Sequence, residues 1–353
     1  MFNKENNPIM KAIRVHGPKD LRYEEVPDPK IKPDEVLIKV KAAAVCGTDV
    51  EVYDGTMFYI TSGMSKLPFT PGHEWAGEVV QLGAEVSEFK IGDRVTGECS
   101  VGCRTCPYCL RGWYNQCPTR RETGLLGLDG GFAEYIAYPK QFLHKCNGMR
   151  FDEASFIEPT GVALYPTKLA QVCPQDIVGV FGPGPIGLFM VQTAKAYGAK
   201  KVILIGTREE RLELGLQLGA DATVNLRTEN LVEKVKKITE GQMINVALEA
   251  VGKPSVWTDI ASVIAPRGRI AMTGLFAGEK CQVDFDPLVI GNVTIMGTLG
   301  GPNVWDEAIS LHERGLVKAG PMITHRLPLS EFEEAMQILK ERRDNAIKVV
   351  LEP

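Results

Sequence analysis

Two short stretches carry the side chains best suited to chemistry. Ala44-Val45-Cys46-Gly47-Thr48-Asp49 offers a thiol, and Pro71-Gly72-His73-Glu74 places an imidazole and an adjacent carboxylate 27 residues after that cysteine. Thiolate, imidazole and carboxylate are ligand types that zinc takes, and a catalytic zinc uses three protein ligands with a fourth position open. Cys46 and His73 are the first candidates. Neighbouring side chains diverge, so Glu74 does not easily share the role with His73, and a third ligand is sought elsewhere. Glu158, in Phe156-Ile157-Glu158-Pro159-Thr160-Gly161, meets that need; taken alone it reads as a helix-start carboxylate.

A second cluster is tighter. Cys103, Cys106, Cys109 and Cys117 are separated by two, two and seven residues. Four thiolates this close can complete a tetrahedral shell with no open position, the pattern of a structural zinc site. An iron-sulfur cluster and a nucleic-acid-binding zinc knuckle are the other readings, and the absence of a basic patch weakens the second. Cys99, Cys146, Cys173 and Cys281 are left over and read as buried or incidental thiols.

The third motif binds phosphate. Ile177-Val178-Gly179-Val180-Phe181 is a continuous apolar run of the kind a buried parallel strand needs, and Gly182-Pro183-Gly184-Pro185-Ile186-Gly187 follows at once. After a strand and before a helix, the glycines gain a mechanism: Gly182 for the tight turn, Gly184 for approach to a pyrophosphate, Gly187 for close helix packing. The helix is expected over 186–197, with Ile186, Phe189, Met190, Ala194 and Tyr197 on one face. The next strand, Val202 to Ile205, ends in Gly206-Thr207-Arg208 where an NAD-binding domain usually places an acid. Without that carboxylate a 2′-phosphate is not repelled, and Thr207 and Arg208 can bind it, so NADP is favoured over NAD. Glu209 and Glu210 could instead turn back toward the ribose, and Arg208 could be a solvated helix-start charge.

These motifs need elements to hold them. From Met10 to Val95 the pattern is mostly strand; in 36–42, Ile38, Val40 and Ala42 face one way and Lys39 and Lys41 the other. After Pro174, strand and helix signals alternate: 211–218, 222–225, 230–239, 245–250, 256–265, 269–273 and 293–298. Such alternation calls for a doubly wound parallel sheet. An amphipathic segment at 329–342 and the apolar run 347–351 close the chain, and the stretch from Trp305 onward is expected to complete the first domain. At 353 residues two domains are the default. A net charge of -4 without a basic stripe argues against nucleic acid and anionic membranes as partners. Met1 to Met10 lacks an apolar core and cleavage site, and no run of about 18 apolar residues occurs, so a cytoplasmic location is expected.

Over nearly its whole length the chain resembles the zinc-dependent medium-chain dehydrogenases, in the branch that acts on polyols, sugars and threonine. Cys46-Gly47-Thr48-Asp49, Gly72-His73-Glu74, the four-cysteine cluster, Glu158-Pro159 and the turn from Gly182 to Gly187 carry the resemblance. It implies a GroES-like β-barrel catalytic domain over 1–158 and 299–353, with a structural zinc lobe at about 98–118. A Rossmann domain over 159–298 is inserted between these segments, and the active site lies in the cleft. It implies two zinc ions: a catalytic one at Cys46, His73 and Glu158 with Glu74 beside it, and a structural one at Cys103, Cys106, Cys109 and Cys117. Arg211 matches an arginine near the adenosine, while Thr273, Gly274, Leu275, Leu299 and Gly300 would line the nicotinamide. Pro185 and Ile186 belong to the same turn. A homodimer or homotetramer is the implied assembly.

The implied reaction is hydride transfer between an alcohol and the nicotinamide. Thr48 is placed to take the alcohol's proton, and Glu51, where sorbitol- and threonine-type enzymes usually carry histidine, could end the relay as in archaeal glucose dehydrogenases. Glu51 reads equally as a solvated carboxylate. Gly300 and Gly301 stand where sorbitol-type enzymes tend to place Arg and Tyr. Val52, Tyr53 and the loop 56–66, with Phe58, Tyr59, Ser62 and Ser65, suit a secondary alcohol of a polyol, sugar or cyclitol. The alternatives are a threonine-like amino alcohol or a vicinal diol with NAD, a zinc-free reductase on the same fold, and a non-catalytic zinc and nucleotide-binding protein.

Overall fold

The structure, a computed structural model, describes residues 8–353. Most of the polar N-terminal segment read above, residues 1–7, lies outside the described residues. The chain divides into two compact units, Met1–Glu158 with Ala319–Pro353, and Pro159–Lys318. Among the described residues no helix is long and apolar enough to cross a membrane.

The first unit is built on a seven-stranded sheet. Its order is Leu143–Lys145, Arg94–Gly97, Glu74–Leu82, Glu35–Ala44, Lys348–Glu352 and Ile323–Pro328, and Tyr135–Pro139 also pairs with Glu35–Ala44. In Glu35–Ala44 the expected alternation holds: Ile38, Val40 and Ala42 are buried, whereas Lys39 is exposed. Trp75, Phe132 and Tyr138 are the largest side chains of this core, with the Trp75 and Tyr138 rings edge to face at 5.1 Å. The strand Lys348–Glu352 runs antiparallel to Glu35–Ala44 and parallel to Ile323–Pro328. Helix Phe332–Glu341 precedes it and buries Phe332, Ala335, Met336 and Ile338, a stripe at helical spacing.

The second unit is a parallel six-stranded sheet in the order Ala222–Asn225, Lys201–Gly206, Ile177–Phe181, Ile244–Glu249, Ile264–Met272 and Thr294–Gly297. Counted along the chain this is 3-2-1-4-5-6, the doubly wound order with its switch point between the first and fourth strands.

Two expectations are corrected. The helix after the glycine turn, Pro185–Ala196, is not one-sided: every residue from Gly187 to Ala194 is buried. The face away from the sheet is covered by chain that sequence periodicity does not show. Thr193 bonds Thr167 at 2.9 Å, the side chain of Gln192 accepts from Lys318 N at 2.7 Å, and the Phe189 ring meets His312 at 6.1 Å. The same contacts move a domain boundary. Residues 299–318, expected to join the first domain, stay with the second unit because helix Trp305–Glu313 packs there, His312 bonding Thr160 at 2.9 Å. The return to the first unit falls after Lys318.

Candidate metal centre and nucleotide site

Three neighbouring strands deliver the candidate metal ligands to one end of the first unit's sheet. Glu35–Ala44 ends just before Cys46, Glu74–Leu82 starts opposite it with Glu74 paired to Ala44, and Val350 pairs with Ala44 from the other side. A further bond from Val45 N to Val349 O at 2.9 Å fixes the start of the last strand there. Cys46 caps the helix Gly47–Asp54, where its backbone N–H donates to Asp49 Oδ2 at 2.8 Å.

The ligand atoms of Cys46, His73 and Glu74 all lie within 4.8 Å of one another. The pairing of Glu74 with His73 corrects the expectation that adjacent side chains diverge. His73 sits in a bend before the strand begins at Glu74, so strand alternation does not govern that pair. Glu158, the expected third ligand, is buried in the first turn of helix Ile157–Leu169 and is not part of that group. It stays close enough to act electrostatically on His73.

The surroundings suit a dication. Burial of His73 works against its charged form, yet the negative charge of Cys46, Asp49 and Glu158 outweighs this and holds the imidazole well above its usual pKa. Burial, with Glu74 and Asp49 nearby, pushes Glu158 up to about 7. His73 Nδ1 and Asp49 Oδ1 are buried without hydrogen-bond partners and face each other at 3.8 Å, leaving the opposite ring nitrogen toward Cys46. A carboxylate behind a ligating imidazole is the arrangement that fixes its orientation and raises its basicity.

Asp49 and Lys348 are the two groups that sequence reasoning missed. Asp49 lies three residues after Cys46, and nothing in its spacing marks it as a partner of His73. Lys348 interrupts an apolar strand pattern, which was the available signal. It is 3% exposed, its Nζ reaches both oxygens of Glu74 at 2.5 Å and Val45 O at 3.3 Å, and it lies 5.6 Å from the Phe156 ring centre.

Thr48 Oγ1 lies 3.8 Å from Cys46 Sγ, and Glu51 is exposed three residues further along the same helix. In the second cluster the thiols of Cys103, Cys106, Cys109 and Cys117 also lie within 4.8 Å of one another. Backbone N–H groups of Cys106, Cys109 and Cys103 point at the sulfurs of Cys103, Cys106 and Cys117 at 3.3, 3.5 and 3.4 Å. Such donors stabilise thiolates, and the Thr105 hydroxyl and backbone with Cys106 N–H hold Cys103 down to about 5. No cysteine, the four leftover ones included, forms a disulfide.

In the second unit every expected cofactor residue sits at a carboxyl end of the sheet. Gly182 has φ +104°, and a Cβ on Gly187 would stand 1.8 Å from Gly182 O, so the turn and the helix start at Pro185 leave no room for a side chain there. Gly184 caps that helix with Ile186 in its first turn. Gly206 ends its strand, Thr207 is exposed, and Arg208 caps helix Glu209–Gln217, in which Arg211 is buried. Glu209 does not stay free, because Asn225 Nδ2 donates to its carboxylate at 2.5 Å. Thr273 bonds Thr298 at 2.8 Å; Leu275 is exposed, and Leu299 and Gly300 follow strand Thr294–Gly297. The fully buried Glu249 accepts from the backbone of Val251, Gly252 and Gly274 at 2.5, 2.8 and 3.0 Å, tying the loops after two strands together.

Removing the ammonium beside Glu74 tests the centre's electrostatics. Lys348→Met is expected to lower the unfolding free energy of zinc-free protein by about 3–5 kcal/mol, the cost of breaking a buried ion pair. Denaturant titration measures it, and a loss under about 1 kcal/mol would mean that Glu74 is not charged without its partner.

Two family models match the chain: Alcohol dehydrogenase GroES-like domain over residues 32–148, and Zinc-binding dehydrogenase over 185–314. The chain is 37% identical over 350 residues to an L-threonine 3-dehydrogenase of Bacillus licheniformis, covering 98% of this chain and 99% of that one. It is 31% identical over 345 residues to a sorbitol dehydrogenase of Bacillus subtilis, covering 98% and 97%. A crystal structure of a Sinorhizobium meliloti 1021 protein, assigned as a zinc-binding dehydrogenase and bound to NADP, superposes with a TM-score of 0.91 at 28% identity, covering 98% and 100%. With a GroES-like unit carrying Cys46, His73 and Glu74 and a doubly wound unit carrying the glycine turn, the chain belongs to the zinc-dependent medium-chain alcohol dehydrogenases, a family of NAD(P) oxidoreductases.

Proposed function

We propose that the protein transfers hydride between a secondary alcohol of a polyol, sugar or cyclitol, or its ketone, and NADP. The observation that carries this reading is the convergence of Cys46, His73 and Glu74 on a buried point backed by Asp49 and Lys348. Those three residues would hold a catalytic zinc with Glu158 next to them, and the four cysteines of the lobe a second, structural zinc. Zinc bound at the first site supplies Lewis-acid activation of the alcohol, whose hydride the nicotinamide accepts. Thr48 Oγ1 takes the alcohol's proton and passes it outward. A hydroxyl relays a proton without storing it, so Glu51, exposed one turn along the helix, ends the path. The turn from Gly182 to Gly187 receives the pyrophosphate at the N-terminus of helix Pro185–Ala196. Thr273, Gly274, Leu275, Leu299 and Gly300 line the nicotinamide.

NADP is supported by the missing acid at the end of strand Lys201–Gly206 and by the engagement of Glu209 with Asn225. Gly206, Thr207 and Arg208 form the phosphate end, with Arg211 near the adenosine. A second reading, a threonine-like amino alcohol, is favoured by the 37% identity to an L-threonine 3-dehydrogenase. We also propose a homodimer or homotetramer. The end strand Thr294–Gly297 pairs on one side only, and Ile295, Phe285, Val289 and Ile290 are exposed around it. Light scattering is expected to give two or four chains; a monomer at micromolar concentration would reject this.

Initial rates with NADP and NAD across polyols, aldoses, cyclitols and threonine, on protein of known zinc content, test the main reading. NADP should be preferred, and Arg208→Gln should raise its KM about tenfold to a hundredfold while sparing NAD, the loss expected for charged hydrogen bonds. Equal effects on both nucleotides would remove Arg208 from the phosphate site. Cys46→Ser should lower kcat by about a thousandfold or more and zinc content by about one ion per chain, with the fold retained. Retained turnover in that variant would exclude Cys46 as a ligand.

A further inference from the structure

In the first unit Tyr59, from the loop expected at the substrate pocket, joins two charged side chains that have no role in the reading above. Tyr59, in the short helix Phe58–Thr61, donates its hydroxyl to Glu122 Oε1 at 2.9 Å. Arg120 donates from Nε to the same oxygen at 2.7 Å and from Nη2 to the Tyr59 oxygen at 2.9 Å. Burial and the Glu122 charge push the Tyr59 hydroxyl up to about 12, so it stays protonated. Arg120 Nη1 and Glu122 Oε2 have no partner among the described residues, and neither is sealed from solvent. The side chains of Arg120 and Glu122 are 24% and 9% exposed.

The group lies beside the metal centre. Glu122 is two residues from Gly124, where a Cβ would stand 2.7 Å from the nitrogen of Gly72, the residue before His73. Thr123 N donates to Cys99 O at 2.9 Å, and the half-buried Cys99 thiol feels the charge of Glu158, Glu122, Cys46 and Asp49 together. Tyr59 is reached directly from the helix behind Cys46, since Met57 N bonds Glu51 O at 3.3 Å and Met57 Sδ accepts from Tyr59 N at 3.1 Å. A partly buried ion pair adds little stability over an apolar packing of equal volume. Here it keeps an unused donor and an unused acceptor.

We propose that Arg120, Glu122 and Tyr59 form the specificity group that reads a second hydroxyl of the substrate, selecting an uncharged polyhydroxylated chain. A hydroxyl is donor and acceptor at once, which matches Nη1 and Oε2. The pair carries no net charge, so the attraction of a carboxylate or phosphate to Arg120 is offset by its repulsion from Glu122, and Glu122 Oε2 finds no donor on such a group. A simple alkyl alcohol leaves both groups unpaired, the circumstance under which a site rejects an analogue lacking a hydroxyl. This inference rests on the dehydrogenase reading above.

The test uses the zinc-loaded full chain with erythritol, 2-butanol and erythronate as probes. The wild type should favour erythritol over both others. Glu122→Gln, Arg120→Gln and the milder Tyr59→Phe should each lower the ratio of kcat/KM for erythritol to that for 2-butanol, by about tenfold or more for the first two. An unchanged ratio in all three variants overturns the proposal, as does a wild-type preference for erythronate. If the wild type oxidises no alcohol, the dehydrogenase reading fails, and calorimetric binding of erythritol decides this one separately. Binding that Glu122→Gln abolishes upholds the specificity group; no binding, or binding that the variant leaves intact, overturns it.

Discussion

The first unit gathers negative charge where water cannot screen it. Cys46, Asp49, Glu74 and Glu158 crowd the end of one sheet, and the buried ammonium on the protein side is that of Lys348, which reaches both oxygens of Glu74. Charge desolvated in this way must be paired or bound to a metal. The grouping of Cys46, His73 and Glu74, the Asp49 carboxylate behind the imidazole and the ammonium behind Glu74 all answer that one requirement. The last strand of the chain supplies the pairing group: it returns to the first unit with Val349 and Leu351 in the core and Lys348 against Glu74.

The second unit meets a different constraint, the delivery of backbone to a dinucleotide. Its loops leave the carboxyl ends of parallel strands, and two of them are locked by one buried carboxylate, Glu249, which spends its oxygens on three backbone N–H groups. A loop held this way needs no reordering when a cofactor arrives, which lowers the entropic cost of binding. In the central helix Pro185–Ala196 every residue from Gly187 to Ala194 is buried, so the glycine turn at its start is anchored between that helix and the fully buried strand Ile177–Phe181.

Much of this was legible along the chain. The β pattern of 36–42, the four-cysteine spacing, the glycine turn after a buried strand and the alternation after Pro174 depend on neighbours in sequence, and they appear as read. Periodicity alone makes the helix after the turn one-sided, because it reports only the stripe facing the sheet. Its other face is covered by His312 and Lys318, more than a hundred residues away, which also kept 299–318 with the second unit.

The sequence by itself determined the donor chemistry, because thiolate, imidazole and carboxylate are properties of residue types and their affinity for zinc does not await folding. It determined the glycine turn between a buried strand and a helix for the same local reason. Only the tertiary structure decided which carboxylate stands with Cys46 and His73. Strand register and a bend before Glu74 brought that side chain in and left Glu158 outside the group. It decided too that Lys348, separated from Glu74 by most of the chain, is its counter-charge, since pairing between distant strands has no trace in local spacing.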